Sequence, residues 1–341
     1  MTNALITGIT GQVGSHLCDY LLASTDWNIY GMVRWRSPLN NLQQHLGRIE
    51  KGDRLFLING DLRDQSSLDR VVEIAQPDYV FHLAAQSFPK TSFDSPIDTL
   101  DTNVLGTCRL LEAIKWGSAN NGTSPEHPKI HICASSEVFG RVSKDELPIN
   151  EDCRFHPASP YAISKVGTDL IGRFYAEAYG MNVQTTRMFT HTGPRRGDVF
   201  AESNFAKQLA MMERGQIEPY IKVGNLKSMR TWADVRDAVR AYHMLLTVDP
   251  IPGAYYNIGG DFSCTVGDML DVLISMSHIR PTIVEDKERL RPIDADLQIP
   301  DTSKFRKHTG WEPRIKFKQT MADLLNYWRG QVINKVPVLL R

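Results

Sequence analysis

Tyr161 and Lys165 stand four residues apart in the segment PASPYAISKVG, and a helix starting after Pro160 would put both on one face. A phenol beside an ammonium gives up its proton more readily, because the positive charge favours phenolate. Upstream, Ser135-Ser136-Glu137 sets a hydroxyl and a carboxylate at the end of an apolar run. Near the N-terminus, Gly8, Gly11 and Gly14 are spaced as GITGQVG, with Gln12 and Val13 between them. Glycines there let the backbone turn tightly and approach a pyrophosphate, while the helix that follows offers free N–H groups and a positive dipole end. The alternative is a tight turn that binds nothing. Strand, glycines and helix together predict dinucleotide binding, and the tyrosine–lysine pair then points to hydride chemistry.

A second strand that held the ribose 2′-hydroxyl of NAD would end in an acidic residue, but this chain reads Arg34-Trp35-Arg36-Ser37. Two guanidiniums suit a 2′-phosphate, so Arg34 and Arg36 predict NADP; a solvated surface pair is the bland alternative. Asp61 and Leu62 follow the third strand, where the carboxylate could accept from the adenine amine or simply cap a loop. Leu83, Ala84, Ala85 and Gln86 end the fourth strand, where small side chains let a cofactor lie close.

The elements that must position these residues are legible as alternation. Short apolar runs, ALITGI, WNIYGMV, RLFLING, YVFHLAA and KIHICAS, are separated by longer helical patterns. They predict an α/β fold: a Rossmann-type doubly wound parallel sheet, with NVQTTRMFT as a sixth strand and a smaller α/β lobe beyond Pro194. Residues 1–190 are expected to form the dinucleotide-binding domain and 191–330 mainly the second lobe. The helical stretch DVRDAVRAYHMLL suggests that 231–260 returns to the first. Ligands in such sheets bind outside the C-terminal strand ends, in the cleft facing the lobe.

Composition excludes other classes. The 39 basic residues balance 39 acidic ones, so no overall field draws the chain to nucleic acid or membrane. The start lacks the pattern of a signal peptide and no run is apolar enough to span a bilayer, so a cytoplasmic protein is expected. Five scattered cysteines without a CxxC pair read as reduced packing residues, with no metal site.

Taken together, glycine loop, YxxxK and upstream serine resemble the extended short-chain dehydrogenase/reductases over nearly the whole chain. Within them, GITGQVGSHL, VRWRSPLNNL, SSEVFGRV, THTGPRRGDVF and GNLKSMRTWADVRD resemble the GDP-mannose 4,6-dehydratases. The resemblance implies that Tyr161 moves the sugar hydroxyl proton as hydride passes to the nicotinamide. Lys165 would hold the ribose and lower the tyrosine pKa, and Ser135 would orient the oxygen. Glu137 would take the C5 proton and assist loss of the C6 hydroxyl; a strand-end cap is its alternative. The cofactor would also meet His191. A GDP-sugar, GDP-mannose or a manno-heptose, would lie against Ser87, Ser135, Glu137, Thr190, Asn204, Lys207, Arg230, Arg291 and Asp294, with Arg195 and Arg196 as further candidates for its phosphates. Dimers are implied through the helix carrying Tyr161, and tetramers through the loop from Arg34. The chain departs from the family pattern at Trp35, Thr190 and Ser135, where arginine, asparagine and threonine are usual. The stretches FAKQ, KVGNL and LRPIDADL also resemble GDP-4-keto-6-deoxymannose reductases, the second reading. A non-catalytic NADP-binding scaffold is the third, and the presence of all four reactive side chains speaks against it.

Overall fold

β1 (Asn3–Thr7) shows why the chain builds a two-faced sheet: Ala4 and Ile6 pack into one core and Leu5 into another. With both faces covered, such strands read as continuous apolar runs rather than alternating ones. The computed structural model describes residues 1–120, 127–290 and 295–333. β2 (Asn28–Val33), β3 (Leu55–Asn59), β4 (Tyr79–His82), β5 (Lys129–Cys133) and β6 (Val183–Met188) join β1 as the sequence predicts. A seventh strand, Tyr255–Ile258, completes the parallel order β10-β6-β5-β4-β1-β2-β3, β10 being its number in the chain.

Helices cover both faces. On one lies α1 (Gln12–Ser24); past β2 the chain adds a short α2 (Leu46–Lys51). On the other face lie α3 (Gln65–Ala75), α6 (Gly106–Asn120) and α7 (Pro160–Tyr179), after two short helices, α4 (Pro89–Asp94) and α5 (Pro96–Leu100). α7 begins where Pro160 sets the helical φ and Ser159 caps it, the Ser159 hydroxyl accepting from the amide of Ala162 at 3.0 Å.

The lobe is built on β9 (Met229–Asp234), flanked by β11 (Phe262–Thr265), β13 (Leu297–Gln298) and β7 (His191–Thr192), with a separate pair formed by β8 (Tyr220–Val223) and β12 (Thr282–Glu285). α8 (Ala201–Glu213), α10 (Val266–Ser275) and α12 (Phe317–Ile333) close a third core around Trp232, Leu270 and Leu324. α9 (Val235–Thr247) and β10 leave this lobe: Tyr242 and Leu245 pack in the first core, against α1. A further crossing lies outside the sequence expectation. α11 (Ser303–Thr309) lies against β10, and Phe305 and Trp311 belong to the first core, where the Trp311 indole donates to the carbonyl of Asp237 at 3.1 Å. The segment KFRKHTGW is too short to show a periodicity that would have assigned it there.

Buried polar groups tie the sheet to the glycine loop. Thr7 Oγ1 bonds His82 Nδ1 at 2.8 Å and accepts from the amides of Leu83 and Ala84, while His82 Nε2 meets Thr107 Oγ1 at 2.9 Å. Burial, aided by the Lys165 charge, pushes His82 down to about 3; burial, then His82 and Lys165, does the same for His131. An unfolded chain protonates its histidines below about pH 6.5, whereas these two stay neutral. Their contribution is therefore complete above that pH and is lost as pH falls toward about 3, at about 1.4 kcal/mol per pH unit for each histidine. Thermal denaturation should show Tm falling steeply between roughly pH 6.5 and pH 4. His131→Leu should make that slope shallower, whatever its absolute Tm.

Candidate active site

The glycine loop is a cradle that side chains would fill. Gly8 has φ +74°, and a Cβ there would lie 2.8 Å from the Ala84 amide nitrogen; one on Gly14 would lie 2.3 Å from the carbonyl oxygen of Gly8. The Gly11 amide closes the turn on the Gly8 carbonyl at 3.0 Å, and α1 starts at Gln12 without a side-chain cap or an acidic residue in its first turn. Its first N–H groups and dipole thus favour an anion. Val13 packs against the first core. These features fit the pyrophosphate of a dinucleotide.

Around that loop, Arg34 and Arg36 are exposed past β2, with the Arg36 guanidinium 4.7 Å from the Trp35 ring centre and the Arg34 amide donating to Ser37 Oγ. Asp61 accepts from the Arg63 amide at 3.0 Å, so it caps its turn. Burial raises its carboxyl pKa, but the hydrogen bonds and charge of Arg63, with the charge of Arg34, outweigh this and leave it lowered. Leu62 is buried, while Leu83, Ala84 and Ala85 line the half-exposed end of β4 and Ser87 is exposed just beyond.

The structure brings Ser135, Glu137, Tyr161 and Lys165 together at the C-terminal end of β5. Ser135 follows the strand and caps a short 3₁₀ turn, its Oγ accepting from the Glu137 amide at 3.2 Å. Lys165 is buried and donates to the Cys133 carbonyl at 2.7 Å. Tyr161 is buried one turn earlier on α7. Burial pushes its phenol pKa well up; hydrogen bonding with Ser135 and the charge of Arg196 act in the opposite direction. Burial dominates the phenol, while the Lys165 ammonium is turned to a backbone carbonyl. Burial also lowers the pKa of Lys165 itself.

Thr190 and His191 follow β6. The Thr190 carbonyl accepts from Ala233 on β9, and His191 Nδ1 meets the Phe189 carbonyl at 3.2 Å. Burial, then the Arg196 charge, pushes His191 down to about 4, so its ring is neutral at physiological pH. On α8, Asn204 Nδ2 donates to the Asp198 carbonyl and Lys207 Nζ pairs with the Asp198 carboxylate at 2.7 Å. Arg230 lies on β9 and donates to the carbonyls of Met229 and Ala295. Arg291 and Asp294 lie outside the described residues.

A family model described as GDP-mannose 4,6 dehydratase matches residues 5–324. The chain belongs to the GDP-mannose 4,6-dehydratase family. It is 34% identical to GDP-mannose 4,6 dehydratase 1 of Arabidopsis thaliana, over 95% of this chain and 88% of that protein. It is also 30% identical to GDP-6-deoxy-D-mannose reductase of Pseudomonas aeruginosa, over 97% and 99%. A solved structure of RMD from Pseudomonas aeruginosa, complexed with NADPH, superposes with TM-score 0.80 at 29% identity, covering 97% of this chain and 100% of that one.

For a member of the GDP-mannose 4,6-dehydratase family, the pair Arg195-Arg196 divides in an unforeseen way. Arg195, with φ 65°, pairs with Asp19 on α1 at 2.7 Å. Arg196 instead reaches Gln12 Oε1 at 3.4 Å and Glu202 at 3.1 Å, and its charge is felt at both Tyr161 and His191. It thus stands at the glycine loop, beside the reactive group, rather than with Arg230. No local sequence pattern separates two adjacent arginines; the positive φ that turns one away is set by the loop. Gly14→Val should abolish dinucleotide binding, read by fluorescence titration. The double variant Arg34→Ala/Arg36→Ala should weaken NADP binding about ten- to a hundredfold, the size of lost charged hydrogen bonds, and leave NAD binding unchanged.

Proposed function

We propose that this chain is an NADP-dependent GDP-sugar 4,6-dehydratase that converts GDP-mannose, or a GDP-manno-heptose, to the 4-keto-6-deoxy sugar. The observation that carries the reading is the Glu137 carboxylate, placed two residues past Ser135 on the turn that Ser135 caps, with its charge felt at Tyr161. A plain alcohol dehydrogenase needs only the tyrosine, lysine and serine; a carboxylate beside them adds a base for a carbon acid.

Residues 1–190 with α9 and β10 would form the cofactor half, and the rest mainly the nucleotide half. The glycine loop, Gln12, Val13, Arg34, Arg36, Asp61, Leu62, Leu83, Ala84, Ala85, Tyr161, Lys165, His191 and Arg196 would hold NADP. Bound there, NADP would supply the hydride acceptor for C4 and the hydride donor for C6. Ser135 Oγ holds the C4 oxygen while Tyr161 Oη takes its proton. Lys165, released from the Cys133 carbonyl, binds the ribose and lowers the cost of charge on the phenol. The C4 ketone acidifies C5, so Glu137 takes that proton and, now neutral, gives it to the departing C6 hydroxyl as water. Hydride return to C6 is matched by a proton at C5, given by Tyr161 from the one it took off the C4 hydroxyl, so the phenol is back in its starting state and the reaction is redox neutral. Ser87, Thr190, Asn204, Lys207, Arg230, Arg291 and Asp294 would hold the GDP-sugar.

The 30% identity to a GDP-6-deoxy-D-mannose reductase supports a second reading, a C4 reductase. Purified protein given GDP-mannose, or a GDP-manno-heptose in parallel, with trace NADP and no reductant, should lose one water per sugar over many turnovers, followed by mass spectrometry. Stoichiometric NADPH consumption with a 4-keto-6-deoxy sugar, and no water loss, would favour the reductase. Glu137→Gln should slow water loss about a hundred- to ten-thousandfold, the usual worth of a positioned base, while single-turnover C4 oxidation persists as NADPH absorbance.

A homodimer through α7 is part of the same reading. Ile163, Leu170 and Phe174 lie on one face of α7 and are each about half exposed, and Leu105 and Trp116 are exposed on the segment packed beside it. An apolar stripe of this kind is the mark of an interface. Leu170→Glu/Phe174→Glu should convert a dimer to a monomer in light scattering; an unchanged mass would place the interface elsewhere. Among the described residues no helix is long and apolar enough to cross a membrane, and the cytoplasm is the proposed location.

A further inference from the structure

Arg187, on β6, is 1% exposed, and Asp169, about two turns along α7 from Tyr161, is fully buried. The two form a forked ion pair, with Arg187 Nε and Nη2 donating to the Asp169 carboxylate at 2.8 and 3.1 Å. Charged side chains are rarely buried so completely, and replacing such a pair by apolar residues of similar size is often neutral or stabilising. Stability alone does not account for this pair, and the reaction above does not use it. The surroundings of the guanidinium give it a task. Its remaining nitrogen, Nη1, donates to the Glu151 carbonyl at 2.7 Å, and its carbon lies 4.7 Å from the Phe155 ring centre and 5.5 Å from that of Phe139, within cation–π range. Phe139 ends the turn that Ser135 caps and that carries Glu137. That turn is also laced to the segment after Glu151: the Val138 carbonyl accepts from the His156 amide at 3.1 Å, and the Arg141 amide donates to the His156 carbonyl at 3.3 Å. One buried cation therefore joins the Glu137 turn, the segment 151–156 and the helix of Tyr161.

We propose that Arg187, braced by Asp169, is a positioning residue that sets the Glu137 carboxylate against Tyr161 and so governs elimination more than oxidation, a step that rests on the dehydratase reading above. α7 has anchors of its own, Lys165 on the Cys133 carbonyl and Ser164 and Thr168 on Asn103. The Glu137 turn rests instead on the cluster of Val138, Phe139, Ile149 and Phe189, with the Arg187 guanidinium against Phe139. Loss of the cation thus shifts the carboxylate relative to the phenol, and leaves the phenol where the strand end and Asn103 hold it.

The full chain carrying Arg187→Met together with Asp169→Leu removes the pair without stranding a buried charge. GDP-mannose and equimolar NADP are followed through a single turnover, NADPH absorbance reporting C4 oxidation and mass spectrometry reporting water loss. NADPH should appear at the wild-type rate while water loss slows about ten- to a hundredfold, the cost of a displacement near one ångström, so that NADPH accumulates. Arg187→Lys keeps the charge without the fork and should show a smaller loss confined to the same step; it carries the test alone if the double variant does not fold. Water loss at the wild-type rate overturns the inference. So does an equal slowing of oxidation and water loss, the mark of a merely structural pair. A wild-type protein that loses no water from GDP-mannose overturns the dehydratase reading and this inference with it, a result distinct from failure of the variants alone.

Discussion

The attachment of the first turns of α7 to the end of β5 is the constraint on which the site depends. Lys165 reaches across to the Cys133 carbonyl inside a buried environment, so strand end and helix move as one body. The attachment is reinforced from behind: Asn103 donates to Ser164 Oγ at 2.8 Å and to the Gln86 carbonyl at 3.0 Å, and its own carbonyl accepts from Thr168. Through Gln86 the end of β4 is fixed to the same body, and through Thr7 and His82 so is the glycine loop. Cofactor cradle, Ser135, Tyr161 and Glu137 are thereby referred to one rigid framework. Buried networks of this kind are costly to leave half-made, which is why they position rather than merely decorate.

β9 connects that framework to the second lobe. Its last residues pair with β7, which carries His191, and its earlier ones pair with β13, beside Arg230. Directly after β9 the chain turns into α9 and returns to the first core. The turn is fixed by Asp234, which caps α9, pairs with Arg236 and accepts from Thr320, while Arg236 also reaches Asp323 at 2.6 Å. A chain that crosses between the two cores several times cannot let them drift apart freely, so the cleft geometry is set by covalent connection as well as by packing.

Much of this was legible in the sequence because local chemistry and local structure agree. Proline, serine cap and YxxxK spacing all call for the same helix, and the glycines permit the positive φ and close approaches that the loop adopts. Three things were not legible, each for a long-range reason. Phe305 and Trp311 join the first core through a segment too short to display a period. Arg196 stands at the glycine loop while Arg195 pairs with Asp19 because the loop turns between them, which residue type alone does not encode. The Tyr161 pKa moves up because burial, a property of the whole fold, outweighs the Ser135 hydrogen bond and the Arg196 charge. Asp61 was readable in two ways, and its bond to the Arg63 amide shows that it caps the loop whatever else it does.

The central claim, that one enclosed group of residues carries both oxidation at C4 and elimination across C5 and C6, is tested most directly by isotope. GDP-mannose carrying deuterium at C4 should be turned over by the wild-type protein with substoichiometric NADP in ordinary water, and the product examined by NMR and mass spectrometry. The account predicts that the deuterium is retained and found at C6 of the 4-keto-6-deoxy product, with a solvent proton at C5. Deuterium lost to solvent, or left at C4 of an unchanged sugar, would contradict it.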